Sequence, residues 1–597
     1  MAHRTKTLQP KTSSVVWHSR LVSSVFLFLV LASPVQSQAP TTPVTGDWLV
    51  SHILSDPESL NPLTSNDATA SNVLSYIFES LLRRDPRTLE LLPHLATARP
   101  QISDDKLTYT FTIRRDAHFQ NGKPLTGQDV LFTLKAIKNP RVNAPFRRVY
   151  FQALTQAELL DDFTIRLVMK EPYFLNESNL GGMGILPRHY YDPDGLLDPL
   201  SVQTLDAMGS ADASTVEAAL VERAQQFAER FNKDFARNPM GSGSYKFADW
   251  KTGQEVVLER DPRYWGLGKP GLDQAYIDRR VLRVFNNTDA ALVALKAGEI
   301  DAMSLQPLQH LRQTSGKNFE KQFAKHLYFA PSYTYIGWNN AHPIFSDKRV
   351  RQAMTYLTNR QQMVKTVLFE LGEVVDGPVY LFRPEYDKTL FSHPYDPQKA
   401  RQLLGEAGWQ DSDGDGILDK VIDGQKTPLR FEIKFNSGNE IRKSVALTLQ
   451  DELKKHGVDA NVRQLDWTIF LDEVRNHKFD AVILGWSMPV TEPDDYQVWH
   501  SSQAANKGSN HISYKNARAD AILEENRRTF EPEKRIELYR EFQRILNDEQ
   551  PYTFLFIQKA ILAVDKRFQN VTMYPAGPRS LEWWVPKALQ RHQTPTQ

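Results

Sequence analysis

The 597-residue chain contains no cysteine, which excludes disulfides, thiol nucleophiles, thiolate metal centres and a lipid-bearing N-terminal cysteine. It also lacks an excess of either charge, since 72 Lys and Arg face 71 Asp and Glu and leave a net charge of +1. No basic stripe with interleaved aromatics occurs, so nucleic acid is not an expected partner. Long hydrophobic runs are missing too. The one apolar stretch, Leu21 to Ala32, is shorter than the about 20 residues that cross a bilayer. It follows Arg4, Lys6, Lys11 and Arg20 and precedes the small residues around Val35-Gln36-Ser37, which is the layout of a signal peptide over residues 1–37. Catalytic constellations are absent as well: there is no HExxH, P-loop or metal-spaced histidine pair. Gly485-Trp486-Ser487-Met488-Pro489 lacks the closing glycine of a nucleophile elbow. Gly266 to Gly271 matches a dinucleotide fingerprint by letters alone, because Pro270 and the Asp261-Pro262 turn place it in a loop. Neither an enzyme nor a cofactor is expected, and a secreted hydrolase with dispersed catalytic residues is the remaining alternative.

The residues that are present announce an α/β protein. Thr108, Thr110 and Thr112 alternate with Tyr109, Phe111 and Ile113 as a half-buried strand does, Asn121-Gly122 marks a turn, and Thr126 with Asp129 predicts a helix start near Gly127. Leu429, Phe431, Ile433 and Phe435 alternate as a strand. Ile441, Val445, Leu449 and Leu453 then repeat at helical spacing up to Gly457, and Val458, Ala460 and Val462 alternate again. Strand, helix, strand at that spacing predicts a parallel pair with a crossover helix. A further helix over Phe470 to Arg475 leads to a strand over Phe479 to Leu484, and Asp289 to Ala297 reads as a helix stopped by Gly298 before a strand over Ile300 to Met303.

Several of these stretches, taken in order, resemble the family 5 extracellular solute-binding proteins of bacteria. They are LTYTFTIRRDAHFQNGKPLTGQDVLFTL (107–134), DDFTIRLVMKEPYF (161–174), NPMGSGSYKFADW (238–250), RDPRYWG (260–266), ALKAGEIDAM (294–303), IGWNNAHPIFSDKRVRQAM (336–354), KARQLLGEAGW (399–409) and KFDAVILGW (478–486). The resemblance implies a type II-like periplasmic binding fold, with two α/β lobes joined by a strand hinge and an additional third lobe. Lobe I would comprise 46–81, 239–331 and 552–589, lobe II 82–238 with a helical surface insertion at 201–237, and lobe III 332–551. Residues 590–597 would form a disordered tail. Strands around 294–303 and 478–486 would approach the hinge. The implied activity is capture of a peptide or peptide-like solute by closure of the lobes and its delivery to an ABC permease at the inner membrane. With no cysteine for a lipid, the receptor is expected as a free periplasmic monomer.

The resemblance also suggests where a solute would lie. The turn Trp486, Ser487, Met488 and Pro489 follows an apolar strand, and ligands gather beyond the carboxyl ends of strands in open α/β lobes. Peptide-binding relatives carry an aspartate for the ligand's α-ammonium at the position of Pro489, and proline offers neither charge nor amide hydrogen. Glu492, Asp494 and Asp495 could substitute; otherwise the solute is an opine, a sugar or a metal chelate. Tyr333, Tyr335 and Trp338 are expected to include at least one wall of an aromatic cleft. Ser65, Asn66 and Asp67 would stand at the cleft edge. Asp411 to Asp419 imitates half of a calcium loop, but Ile422 holds the closing position, so a hairpin without metal is expected.

Overall fold

The computed structural model describes residues 42–505 and 507–592, so the expected signal peptide and residues 593–597 lie outside the described part. Among the described residues no helix is long and apolar enough to cross a membrane. An eleven-stranded mixed sheet runs through the molecule, and its two longest strands, Phe323–Trp338 and Tyr552–Asp565, are antiparallel neighbours at its centre. At one end Phe323 to Phe329 pairs with Lys559 to Asp565, beside Ala302–Ser304 and the parallel pair Trp48–Ile53 and Arg279–Val284. At the other end Tyr333 to Gly337 pairs with Tyr552 to Ile557, flanked by Ala481–Ser487. The register slips between Phe329 and Tyr333, where Pro331 interrupts the ladder of amide donors.

These two strands pass from a core built on Val50, Leu295, Phe323 and Ile561 into another built on Ile336, Trp338, Leu449 and Phe556. The crossing is therefore made by 323–338 and 552–565. The stretches around 294–303 and 478–486, expected as hinge approaches, supply the bordering strands Ala302–Ser304 and Ala481–Ser487 instead. Both are too short to span two cores.

The third body has its own core, with Tyr109, Phe111, Ile165 and Leu167 from a four-stranded antiparallel sheet packed under the helix Gly127–Lys138. That helix starts where Thr126 and Asp129 predict: the Asp129 carboxylate accepts the Thr126 amide at 2.9 Å. The predicted crossover unit also forms, as Arg430–Asn436, Glu440–Lys454 and Asp459–Leu465, with the strands parallel and in register from Arg430 and Asp459 onward.

Two expectations need correction. The helices Val202–Met208 and Ala218–Asp234, read as a surface insertion, bury Leu205, Phe227 and Phe231 in the third body's core. The aromatic pair at i and i+4 gives the longer helix an apolar stripe, which must be covered. The expected disordered tail is also docked over its first residues. His592 stacks on Trp48 at 4.5 Å, its amide donates to Asp47, and Arg591 lies 2.6 Å from Asp565. Beneath them the buried Arg567 pairs with Asp47 at 3.1 Å and Asp301 at 2.5 Å, so charges there are compensated. The acidic stretch forms the expected hairpin, Asp419–Ile422 against Gln425–Pro428, and Lys426 Nζ approaches Asp413 to 2.5 Å and Asp419 to 3.4 Å.

Candidate ligand-binding site

A cavity of about 690 Å³ opens where three distant parts of the chain meet, within the size range of small-molecule sites. Ser65 and Asn66 reach it from before the helix Ala68–Leu74, Arg147 and Tyr150 from the short helical turns Pro145–Arg148 and Val149–Phe151, and Gln497 from beyond the strand Ala481–Ser487. Its walls are about equally polar and apolar in character, with Leu63, Phe78, Phe146 and Met183 beside several serines. A second cavity of about 660 Å³ shares Ser178 with the first and is more strongly charged, with Arg84, Arg99, Arg383 and Arg535 facing Glu90, Glu177 and Glu492.

The electrostatics of the larger cavity are one-sided. Among the described residues Glu79 is its only acidic wall residue, and both of its oxygens are engaged, by Tyr264 Oη at 2.5 Å and Trp265 Nε1 at 2.7 Å, with His94 Nε2 at 3.1 Å. Arg147 donates from Nε to the Leu63 carbonyl at 3.1 Å. Burial pulls its guanidinium down to about 10, which leaves it charged at neutral pH.

Beside the cavity a polar network joins the third body to the lobe that holds Gln497. Asp494 receives Arg527 Nη2 at 2.7 Å and also accepts the Tyr173 hydroxyl. The Arg527 guanidinium stacks 3.9 Å from the Tyr496 ring centre and 5.8 Å from that of Tyr150. Burial raises the Tyr173 hydroxyl far above its usual range and the Asp494 charge adds to this, so Tyr173 stays a donor. The Phe174 amide donates to the Arg527 carbonyl at 3.0 Å, and Arg475 forks onto Glu58 between the two α/β lobes.

Of the residues singled out from sequence, Ser65 and Asn66 line the larger cavity. Asp67 does not. It is turned inward as the N-cap of Ala68–Leu74, accepting the Ala70 amide at 2.8 Å and the Glu58 amide at 3.0 Å. Tyr333, Tyr335 and Trp338 are core residues, 3%, 1% and 0% exposed, which corrects the aromatic-wall expectation. From Tyr333 to Trp338 their strand has neighbours on both edges and packing on both faces, so this stretch has no wet side to present. Tyr335 stacks on Tyr552 at 3.8 Å, and Trp338 Nε1 donates to Thr553.

The turn after Ala481–Ser487 exists, with Ser487 and Pro489 exposed and Met488 buried. Trp486 is half-buried, donates to the Tyr552 hydroxyl at 3.2 Å and lies parallel to His511 at 5.7 Å. None of the four lines either cavity. Asp494 is not free to hold an ammonium, because Arg527 and Tyr173 already occupy it. Arg147, Tyr150, Tyr173, Gln497 and Arg527 were not anticipated. The only local signal was the dense aromatic and basic run Phe146-Arg147-Arg148-Val149-Tyr150-Phe151.

The chain matches the family model for bacterial extracellular solute-binding proteins, family 5, over residues 90–508. It is 30% identical over 555 residues to the oligopeptide-binding protein AppA of Bacillus subtilis, covering 91% of this chain and 93% of that one. The AppA structure in complex with a nonapeptide superposes with a TM-score of 0.78 over 92% of this chain and all of its own, at 29% identity. NikZ of Campylobacter jejuni, in complex with Ni(L-His), does so at 0.73 and 26% identity over 90% of this chain and 99% of its own. Two α/β lobes joined by crossing strands and a third lobe are the architecture that these structures share with it. The chain belongs to the family 5 bacterial extracellular solute-binding proteins.

Proposed function

We propose that the protein is a periplasmic receptor of an ABC importer that captures a peptide or peptide-like solute between its lobes and delivers it to a membrane permease. Residues 46–81, 239–331 and 552–589 form lobe I, 82–238 lobe II and 332–551 lobe III. Residues 1–37 direct export and are removed, and the receptor works as a free monomer.

The observation that carries this reading is the cavity whose walls come from all three of those lobes, beside which Tyr173, Asp494 and Arg527 form a polar link. Such a cavity exists only when the lobes are together. A solute that touches several lobes binds the closed form more tightly than the open one and shifts the population by that difference. The guest is held and released chemically unchanged.

A non-peptide solute is the second reading. It is favoured by Pro489 at the position of the family's aspartate and by the engagement of Asp494 with Arg527. NikZ, a relative, binds Ni(L-His), so a chelate is compatible with the fold. Incubation of the purified mature protein with a pool of di- to nonapeptides, followed by mass spectrometry of what is retained, tests the first reading. Intact peptides are expected; retention of none, with chelates or opines retained instead, would transfer the assignment to the second.

A further inference from the structure

Among the described arginines that are buried or half-buried, Arg147 is a half-buried one at the larger cavity whose charge the protein leaves unanswered. Arg360 has Asp376 at 2.8 Å, Arg527 has Asp494, and Arg567 has Asp47 and Asp301. Arg148 spends its donors on the carbonyls of Ile137, Asn139 and Val142. Arg442 donates to Asn436 and lines neither cavity. Arg147 has a single hydrogen bond, from Nε, and its guanidinium leans on the Phe146 ring at 5.4 Å. Among the described residues no carboxylate lies within 4.0 Å of it, and its two Nη atoms have no protein partner. On the same wall Asn179 has a buried Nδ2 without a hydrogen-bond partner.

A half-buried guanidinium with unused donors at a cavity wall is a ready partner for an anion that enters the cavity. Since Nε is taken, the free edge of the fork is the Nη1 and Nη2 pair, which matches the two oxygens of one carboxylate. The cavity offers no free acid in return, because Glu79 is saturated by Tyr264 and Trp265.

We propose that Arg147 receives a carboxylate of the bound solute, so that this receptor reads the acidic end of its guest and leaves the amino end unread. The inference rests on the receptor reading above and specifies its ligand class. The carboxylate belongs either to a peptide C-terminus or to a non-peptide acid, such as an N-carboxyalkyl amino acid or a hydroxydicarboxylate.

The test is calorimetry and thermal shift on the mature protein with four probes: a tripeptide pool as free acids, the same pool C-terminally amidated, the same pool N-acetylated, and a set of non-peptide carboxylates. Amidation is expected to weaken binding about 30-fold or more and acetylation less than about threefold. Arg147→Gln should bind the free-acid and amidated pools alike, and Arg147→Lys should recover part of the difference. If R147Q does not fold, the amidation comparison on the wild type and R147K carry the test. Amidated peptides binding as well as free acids, or acetylation abolishing binding, would overturn the inference and leave the receptor standing. Binding by the non-peptide acids alone, in a manner dependent on Arg147, would uphold the inference and reject peptides as the guest. Silence from every probe would remove both.

Discussion

At the scale of single residues, the sharpest test lies in two adjoining aspartates with different surroundings. Asp494 is answered by Arg527, whereas Asp495 has a buried Oδ2 with no partner. Burial, reinforced by the Asp494 charge, pushes the Asp495 carboxyl up to about 8. A folded-state value above the unfolded one means that the native protein holds an extra proton between about pH 4 and 8. Stability from this group is complete below that window and declines as pH rises through 8, by at most about 1.4 kcal/mol per pH unit. Melting curves of the wild type and Asp495→Asn from pH 5 to 9 should therefore diverge, with the variant gaining at the alkaline end. Parallel curves would mean that Asp495 is solvated or ionised throughout. Tyr173→Phe makes a second test. It deletes the hydroxyl that Tyr173 donates to Asp494, a charge-assisted bond of about 1.5–3 kcal/mol. Affinity should drop about tenfold to a hundredfold while the melting temperature of the unliganded protein barely moves. Ser65 and Asn66 were legible through the family resemblance, which places this stretch at the cleft edge, and both line the larger cavity. The sequence could not reveal Arg147 or Arg527, whose meaning depends on which carboxylates stand near them in space.

At the scale of elements, the parts set by local signals were readable and those set by partners were not. The helix starting at Gly127 and the crossover unit from Arg430 to Leu465 follow from capping residues and hydrophobic period alone. The aromatic strand Phe323–Trp338 looked like a cleft wall because alternation does not tell whether its second face is covered. Its partner Ala481–Ser487 illustrates the same dependence. Gly485, which invited a nucleophile-elbow comparison, sits where an added Cβ would lie 2.8 Å from the Tyr333 carbonyl oxygen. Gly485→Ala should push the two strands apart and cost about 1–3 kcal/mol in urea denaturation. Unchanged stability would show that the pair tolerates a wider spacing than the structure has.

For the whole molecule, the route of movement is set by the pairing of 323–338 with 552–565, which is interrupted only at its register shifts. Two hydrogen-bonded strands cannot slide past each other without losing register, so the lobes must part by bending, and the register slip between Phe329 and Tyr333 is the place of least resistance. X-ray scattering should show a smaller radius of gyration when a retained solute is added. The Tyr173→Phe variant should need more solute to reach the same compaction. Identical profiles at all solute concentrations would argue for a rigid body. The docking of His592 on Trp48 and Asp47 has a practical corollary. Both ends of the described body, near Thr45 and His592, meet in one patch beside Trp48, at the Asp565 end of the crossing strands. A fluorescent reporter or surface tether fused at either end would ride on a single stationary platform, and the jaws would remain free to shut.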